Sequence, residues 1–453
     1  MASDTATFSG STGTFDAALK DYYEGMIRKI LNRQARLYAY CQPGSKTVSG
    51  RKVVFPVNVK GSPAAVFRRA GGALPPAAPQ TVVESQIFMQ EIWARIQVNA
   101  DLIEQARDDR GAFERPVAFE VARMTEDVIE KMNRAGFGDG VGRLGEVDSL
   151  SGQDIVFKDL SDAAGTGING NAGNRYVKIG DVIDVGVGDT AVVRRAQLTV
   201  TAKNVATNTV TVTGTTTSVA SGDQVYLANP DNDGTLLRSL DPMGIGGIID
   251  DGTLVGTLQN ISRTTYPIWK ANVATPIGAT FAAPGALTLD LIQMAVDQAA
   301  LGGPGFPGVA LMDHATRREY LKLVQTDRRY TEKFKYDPGI RESHLKEWPW
   351  ETTLDYDGFP FAVDKHAPWR TIFALDPRAV RKWVWKEWHW LRSGKGGGDT
   401  MYLLQGIAGT YEGQGAAFYN MGTDEAGPGG STVIRNISVP LVNGSPAGRV
   451  DNE

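Results

Sequence analysis

A glycine-rich stretch is the first feature of this sequence that could carry chemistry. Residues 140–145 read GVGRLG, which matches the glycine spacing of a dinucleotide-binding loop. Such a loop needs a strand before it and a helix after it, because the pyrophosphate must meet a helix N-terminus. Here a helical pattern precedes the glycines, so we reject a dinucleotide site.

An acidic loop and the histidines are the remaining features that could bind a metal ion. Residues 229–234 read NPDNDG, like the start of a calcium loop, but the twelfth position is Leu240 instead of a bidentate Glu. The histidines lie far apart in the chain: His314, His344, His366 and His389. None has metal-ligand spacing to another histidine or to Cys41. The sequence predicts no catalytic residue, metal or cofactor, and a triad assembled only by the fold stays an alternative.

Length, charge and cysteine content set the outer limits. The chain has 453 residues and a formal net charge of −4. The length allows roughly three domain-sized units, and the charge names no partner. Cys41 is the only cysteine, which excludes a disulfide framework and fits a reducing compartment. No apolar stretch has the length of a membrane span, and no signal peptide is visible, so no membrane association is expected.

One segment is locally basic. Between residues 20 and 70, lysine and arginine far outnumber aspartate and glutamate. A segment of this kind can face nucleic acid, another anionic surface or an acidic neighbour, and it can equally be the solvated face of a helix.

The element that organises the chain is a helix predicted over residues 115–136. Apolar residues recur there at steps of three and four, as on one buried helix face: Phe113, Val117, Val121, Met124, Val128 and Met132. Pro116 suits a first turn and Gly136 suits a helix end. The opposite face is charged: Glu114, Glu120, Glu126, Asp127, Glu130 and Lys131. We expect one face to pack on the core and the other to meet something else.

The region before this helix predicts an arm and a hairpin. Residues 15–40 have the periodicity of a helical arm that is too short for a core of its own. Residues 53–59 and 92–98 alternate as strands, and a Pro/Gly-rich tip at 61–80 separates them. We therefore predict a projecting hairpin built from these two strands. Because isolated hairpins are marginally stable, we expect a second copy of the chain to support it.

The region after the helix changes composition. Residues 150–250 are rich in Val, Thr, Gly and Asp and predict a β-rich inserted domain. Farther on, helices are predicted at 288–301 and 314–325, and strands at 309–312, 359–363, 371–375, 382–391, 401–419 and 432–441. Most of the nine tryptophans cluster here. They could stack on nucleic-acid bases, but we favour packing and subunit contacts, because large aromatic side chains bury much apolar area.

This order of elements resembles the major capsid protein of tailed bacteriophages, which has the Hong Kong 97-type fold. The resemblance spans about residues 15 to 440. Two stretches strengthen it: LQNISRTTYPIW at 258–269 and PGVALMDHAT at 307–316. It implies an α+β chain with an N-terminal arm, an extended hairpin loop, a long spine helix, and peripheral and axial domains, here with a β-rich insertion.

The resemblance also implies a division of the chain, which we write with boundaries. The predicted parts are the arm (1–46), the extended loop (47–98), the peripheral domain with the spine helix (99–149), the insertion (150–253), the axial domain (254–400), and the return strands with the C-terminal tail (401–453). The arm starts close to Met1, so we expect a separate scaffolding protein or none. No matched set of residues for lysine–asparagine crosslinking is seen, and none is predicted.

The implied function is structural and not enzymatic. Copies would form hexamers and pentamers of an icosahedral virion shell around double-stranded DNA, assembled in the bacterial cytoplasm, with a scaffolding, portal or decoration protein as further partners. The expected subunit contacts are Phe55, Arg68, Arg69, Glu126, Asp127 and Glu130, with the two arginines pairing with the acidic helix face. The expected DNA-facing residues of the arm are Arg28, Lys29, Arg33 and Arg36. An encapsulin-like nanocompartment shell is the nearest alternative, and a β-rich hydrolase is a more distant one.

Overall fold

A computed structural model describes most of the chain between residues 36 and 440. The described residues are 36–44, 46, 48, 50–62, 64–65, 67, 69–70, 76–99, 116–162, 165–303, 305–327, 355–356, 358–390, 401–403 and 410–440. The helices are α1 (Arg36–Tyr40), α2 (Pro116–Phe137), α3 (Ile245–Ile248), α4 (Leu289–Gly302) and α5 (His314–Asp327). The strands are β1 (Gln42–Pro43), β2 (Lys52–Lys60), β3 (Thr81–Phe88), β4 (Gln90–Asn99), β5 (Gly145–Ser151), β6 (Asp154–Phe157), β7 (Val182–Gly186), β8 (Val193–Asn204), β9 (Thr209–Thr213), β10 (Gln224–Leu227), β11 (Thr257–Leu258), β12 (Ile261–Ser262), β13 (Asn272–Ala274), β14 (Val309–Met312), β15 (Asp355–Tyr356), β16 (Phe359–Val363), β17 (Ile372–Leu375), β18 (Val380–Trp390), β19 (Met401–Leu403), β20 (Thr410–Thr423) and β21 (Thr432–Ile434).

The long helix α2 forms where the sequence predicts it and ends one residue later. Val121, Met124, Val128 and Met132 are buried, so the periodic apolar face does pack on the core. This core also includes residues of the hairpin and of the sheet β1–β18–β20–β19. In this sheet β18 and β19 pair along one edge of β20, and β4 pairs along the opposite edge. Phe113 and the residues before Pro116 lie outside the described residues.

The hairpin differs from the prediction in its second strand. The partner of β2 is β3, in an antiparallel register that runs from Lys52 opposite Phe88 to Lys60 opposite Thr81. The predicted partner, residues 92–98, lies in β4 and pairs with β20. The inward-facing positions of β3 are Val83, Ser85 and Ile87, so the polar Ser85 interrupts the apolar pattern and the strand was not predicted.

The support of the hairpin also differs from the prediction. Alternate residues of β2 are buried within the subunit itself, with Phe55 and Val57 at 2 % exposure each. Phe55 stacks on Trp383 of β18 at a ring distance of 6.0 Å. The inner face of the hairpin is therefore covered by its own chain, and only its outer face and tip are open.

The β-rich region forms a closed antiparallel barrel in the order β10–β5–β6–β9–β8–β7. Its Val/Thr alternation buries valine inside, as with Val210 and Val212 of β9, both at 0 % exposure. A closed barrel leaves no unpaired strand edge.

The last unit is the mixed sheet β13–β21–β17–β14–β16–β15, against which α4 packs. Thr288 caps α4, since its hydroxyl accepts a hydrogen bond from Leu291 N, as the sequence predicts. The predicted strands at 401–419 and 432–441 are shorter or divided: β19 and β20 are separate strands, and β21 ends at Ile434.

Candidate subunit-contact surfaces

The charged face of α2 contacts its own subunit through Glu130. Its carboxylate pairs with Lys178 from the barrel side and, at 3.1 Å, with Lys365 from the loop after β16. His366 Nε2 lies 3.6 Å from the same carboxylate. Three elements that are distant in sequence therefore meet at one acidic side chain.

A buried polar network lies directly behind this carboxylate. Asn133 Nδ2 donates to both carboxylate oxygens of Asp364, at 2.9 and 2.7 Å, and lies 2.9 Å from His366 Nδ1. The backbone N–H of His366 donates to Asp364 Oδ1 at 2.8 Å. All three side chains are at most 6 % exposed, so these hydrogen bonds satisfy groups that water does not reach.

The charges in this cluster shift one another's titration. The pKa of Glu130 lies well below its ordinary value. The largest cause is the His366 ring, although its distance of 3.6 Å is long for a hydrogen bond. Burial acts in the opposite direction, and Lys178 and Lys365 lower the pKa further. Burial opposes the charged form of Lys178, but its bonds to Glu130 and Asp127 outweigh that and raise its pKa. Burial likewise raises the pKa of Asp364, and hydrogen bonds from His366 and Asn133 bring it below the usual range.

The barrel docks onto the body of the subunit at the same place. Tyr176 OH donates to the His366 carbonyl at 2.9 Å, and the Arg175 guanidinium donates to the carbonyls of Lys365 and Ala367. A cavity of about 500 Å³ lies between α2, the barrel and this loop, and charged groups of both signs line it. The cluster therefore fixes the barrel against the long helix.

The predicted contact residues on α2 fall into two groups. Glu130 and Asp127 both pair with Lys178 of their own chain, at 3.1 Å for Asp127. Glu126 pairs with Arg123 on the surface, where each side chain is 63 % exposed. Three acidic residues were expected to receive a neighbour's arginine. In the described structure, Glu126 differs from the other two because it pairs only with an exposed residue of its own helix.

The predicted contacts on the hairpin also separate. The Phe55 ring is enclosed within its own subunit, which leaves no side-chain surface for a neighbour and corrects that expectation. Arg69 is exposed, and Arg68 lies outside the described residues. In the arm, Arg28, Lys29 and Arg33 also lie outside them; Arg36 begins α1, and its side chain is not described.

An exposed group of aromatic rings was not foreseen from the sequence. We call Trp93, Trp385, His389 and Phe418 the aromatic patch; they lie together on one face of the sheet formed by β4, β20 and β18. Phe418 is its centre, with ring distances of 5.0 Å to Trp385, 5.9 Å to His389 and 6.4 Å to Trp93. Trp93 is 52 % exposed and Trp385 is 36 % exposed. Trp93 and Phe418 are far apart in sequence, and only the pairing of their strands reveals the patch.

The motif stretch at 258–269 has a structural role. Arg263 is 0 % exposed, and its guanidinium donates to the carbonyls of Gly247, Ile248, Val255 and Trp269. It lies 3.5 Å from the equally buried Asp250, which also pairs with Arg435 at 3.0 Å. Burial lowers the pKa of Arg263 to about 10, with Asp250 opposing, so the side chain stays charged at neutral pH.

Among the described residues, no group of three or more His, Cys, Asp or Glu side chains is placed to hold a metal ion. No helix in the described part of the chain is long and apolar enough to cross a membrane.

Comparison with known structures finds similar proteins, whereas comparison of the sequence does not. No protein-family model matches the chain, and no curated protein matches it significantly. A chain of the cyanophage A-1(L) capsid asymmetric unit matches with a TM-score of 0.52 at 12 % identity, covering 86 % of this chain and 89 % of that one. Such a match over nearly the whole of both chains shows that this protein has the fold of a phage capsid chain.

Two further structures resemble the chain more loosely. The capsid of a native GTA particle matches with a TM-score of 0.43 at 9 % identity, covering 89 % of this chain and 91 % of that one. The capsid of Myoviridae phage XM1 matches with a TM-score of 0.41 at 9 % identity, covering 88 % and 91 %.

Proposed function

We propose that this protein is the major capsid protein of a tailed phage, and that its copies assemble through hexamers and pentamers into the icosahedral head shell around double-stranded DNA. The observation that carries the proposal is the fold match to a cyanophage capsid chain over 86 % of the sequence. The mechanism is association: copies bury apolar surface that a free subunit exposes. The role is structural, and its site is the virion.

The proposal includes the Hong Kong 97-type assignment of parts. The predicted parts are the arm (1–46), the extended loop (47–98), the peripheral domain (99–149), the insertion (150–253), the axial domain (254–400), and the return strands and tail (401–453). One boundary is moved: β4 joins the peripheral domain, because it pairs with β20 and not with the hairpin. The long helix α2, the hairpin β2–β3 and the mixed sheet with α4 support this assignment. The barrel, from Gly145 to Leu227, is the main body of the insertion.

Partners follow from the same proposal. The basic arm, with Arg28, Lys29, Arg33 and Arg36, would face the packaged DNA through contacts that do not depend on sequence. Scaffolding, portal and decoration proteins are further partners of such a shell, which would assemble in the bacterial cytoplasm. Arg68, Arg69 and Glu126 remain proposed subunit contacts.

The test is the size and shape of the assembled species. Light scattering after size-exclusion chromatography, followed by negative-stain imaging, should find capsomers or hollow icosahedral shells. A particle that encloses an enzyme instead of DNA would favour the encapsulin-like alternative. A stable monomer at high concentration, also in the presence of a co-expressed scaffold, would refute the proposal and favour a search for a hydrolase cleft.

A further inference from the structure

The aromatic patch continues a sheet surface that the subunit partly covers with its own hairpin. On β20, Asn420 lies two residues from Phe418 and therefore on the same face of the strand. Asn420 Nδ2 donates to the carbonyl of Phe88 in the hairpin at 2.6 Å, and Trp383, opposite Asn420 on β18, stacks on Phe55. One end of this face is thus covered by the hairpin base, and the patch is its uncovered end.

The tip of the same hairpin carries an exposed aromatic side chain. The exposure of Phe67 is 108 % of that of a reference side chain, so its ring packs on none of the described residues of its own subunit. Arg69, two residues away, is also exposed. A fully exposed phenylalanine beside an exposed arginine has the chemistry of an interface anchor.

Within the aromatic patch, the rings that a partner could cover can be identified more closely. Lys386 Nζ lies 4.9 Å from the Trp385 ring, so this ring already has a cation over it. Trp93 is the more open ring, with the half-buried Phe418 and the exposed Glu91 beside it, and the Glu91 carboxylate accepts a hydrogen bond from Trp93 Nε1 at 3.1 Å. An aromatic ring flanked by a carboxylate is complementary to an aromatic ring flanked by a guanidinium.

We infer that the hairpin tip of a second copy docks on this patch, with Phe67 against Trp93 and Phe418 and with Arg69 next to Glu91. The inference rests on the proposed shell function and names the surface that receives the hairpin. Inside each subunit Phe55 covers Trp383, and between subunits Phe67 covers the adjoining rings. This also gives Arg69 a carboxylate partner, since Asp127 and Glu130 already pair with Lys178 in their own chain.

Disulfide trapping tests the contact directly, because the buried Cys41 is the only native cysteine. One chain carries A65C at the exposed start of the tip, and a second, affinity-tagged chain carries R95C, which lies on the same face of β4 as Trp93. Mild oxidation of the mixture should give a tagged heterodimer. The matched control pairs A65C with T201C, an exposed position on the barrel. Equal trapping with the control would overturn the inference, while shells seen in the same sample would leave the proposed function intact.

Truncations provide the second measurement. F67A and W93A should each weaken association about 30-fold, as buried aromatic anchors do. The thermal midpoint of the separated subunit should stay unchanged in F67A, whose ring is fully exposed, and fall only slightly in W93A, whose ring also packs on Phe418. The double variant should be no weaker than either single one, since both remove the same contact. The control V192A removes a comparably exposed apolar side chain from the barrel and should assemble normally. Normal association of F67A and W93A would refute the contact; failure of the unsubstituted chain to assemble would refute the shell function instead.

Discussion

Two carboxylates in this protein, those of Asp250 and Glu130, each lie close to several cationic side chains, but one is buried and the other is partly exposed. Asp250 and Arg263 are both at 0 % exposure, and Asp250 also receives backbone N–H groups of Gly252, Leu254 and Val255 at 2.9 to 3.1 Å. Glu130 lies beside a cavity, with its side chain 32 % exposed, and two of its cations are lysines.

This difference in exposure indicates a different structural role for each cluster. A buried guanidinium that donates to four backbone carbonyls fixes the path of one chain segment, and its charge is held by a carboxylate that water cannot reach. The Glu130 cluster instead joins three separate elements through side chains that remain partly solvated. The first cluster should therefore control whether the subunit folds, and the second how firmly the barrel is held.

Replacing the buried guanidinium should have the largest effect. R263M removes the donor for four carbonyls and leaves Arg435 as the one described cation beside Asp250, so we expect a loss of about 3 to 5 kcal/mol in the free energy of unfolding, or failure to fold. Urea unfolding of the separated subunit measures it, and soluble yield reports the severe case. The control R123M breaks the exposed pair with Glu126, in which each side chain is 63 % exposed, and there we expect about 0.5 kcal/mol or less. Equal losses in both variants would remove the distinction between buried and exposed charge.

Replacing Glu130 should have an intermediate, pH-dependent effect. E130Q should lower the free energy of unfolding by about 1 to 2 kcal/mol at pH 7, because Lys178, Lys365 and His366 lose a charged partner. The pKa of Glu130 is depressed in the folded chain, so its contribution is fully present above the unfolded pKa of about 4.3 and fades as the pH falls below it.

Urea unfolding of both proteins from pH 3 to pH 8 checks this sign. The difference between them should shrink below about pH 5, which lies below the range in which a histidine such as His366 usually changes charge. A difference that grows from pH 5 to pH 3 would contradict the assignment. Hydrogen exchange offers a second measurement, since residues 174–181 of the barrel side should exchange faster in E130Q.

The sequence predicts the periodic elements well, because their signals are local. The apolar steps of α2, the Thr288 cap of α4 and the strand Val309–Met312 each depend on neighbouring residues and appear where expected. The second hairpin strand was missed, since the polar Ser85 occupies an inward-facing position between Val83 and Ile87. The prediction that a second copy supports the hairpin was wrong for the hairpin base, because Trp383, far along the same chain, covers Phe55.

The candidate contact surfaces could be predicted only in part for the same reason. The acidic face of α2 is visible from spacing, but its partner Lys178 lies on another element, and no local pattern links the two. The aromatic patch depends on the register that places Glu91 and Lys386 on either side of Phe418. A surface that forms only when distant strands pair cannot be predicted from any single stretch of sequence.

The smallest effect is expected at the exposed end of the acidic face, one helical turn before Glu130. E126Q removes the partner of Arg123, but both side chains are 63 % exposed and separated by only three positions, so the pair is well solvated. We expect a loss below about 0.5 kcal/mol, which should vanish in 1 M salt because screening removes what remains. Urea unfolding at low and high salt measures both values. A loss as large as that of E130Q would show that solvation does not separate the two acids. A small loss in the subunit combined with weaker assembly would instead assign Glu126 to the contact between copies, where a neighbour's arginine would desolvate it.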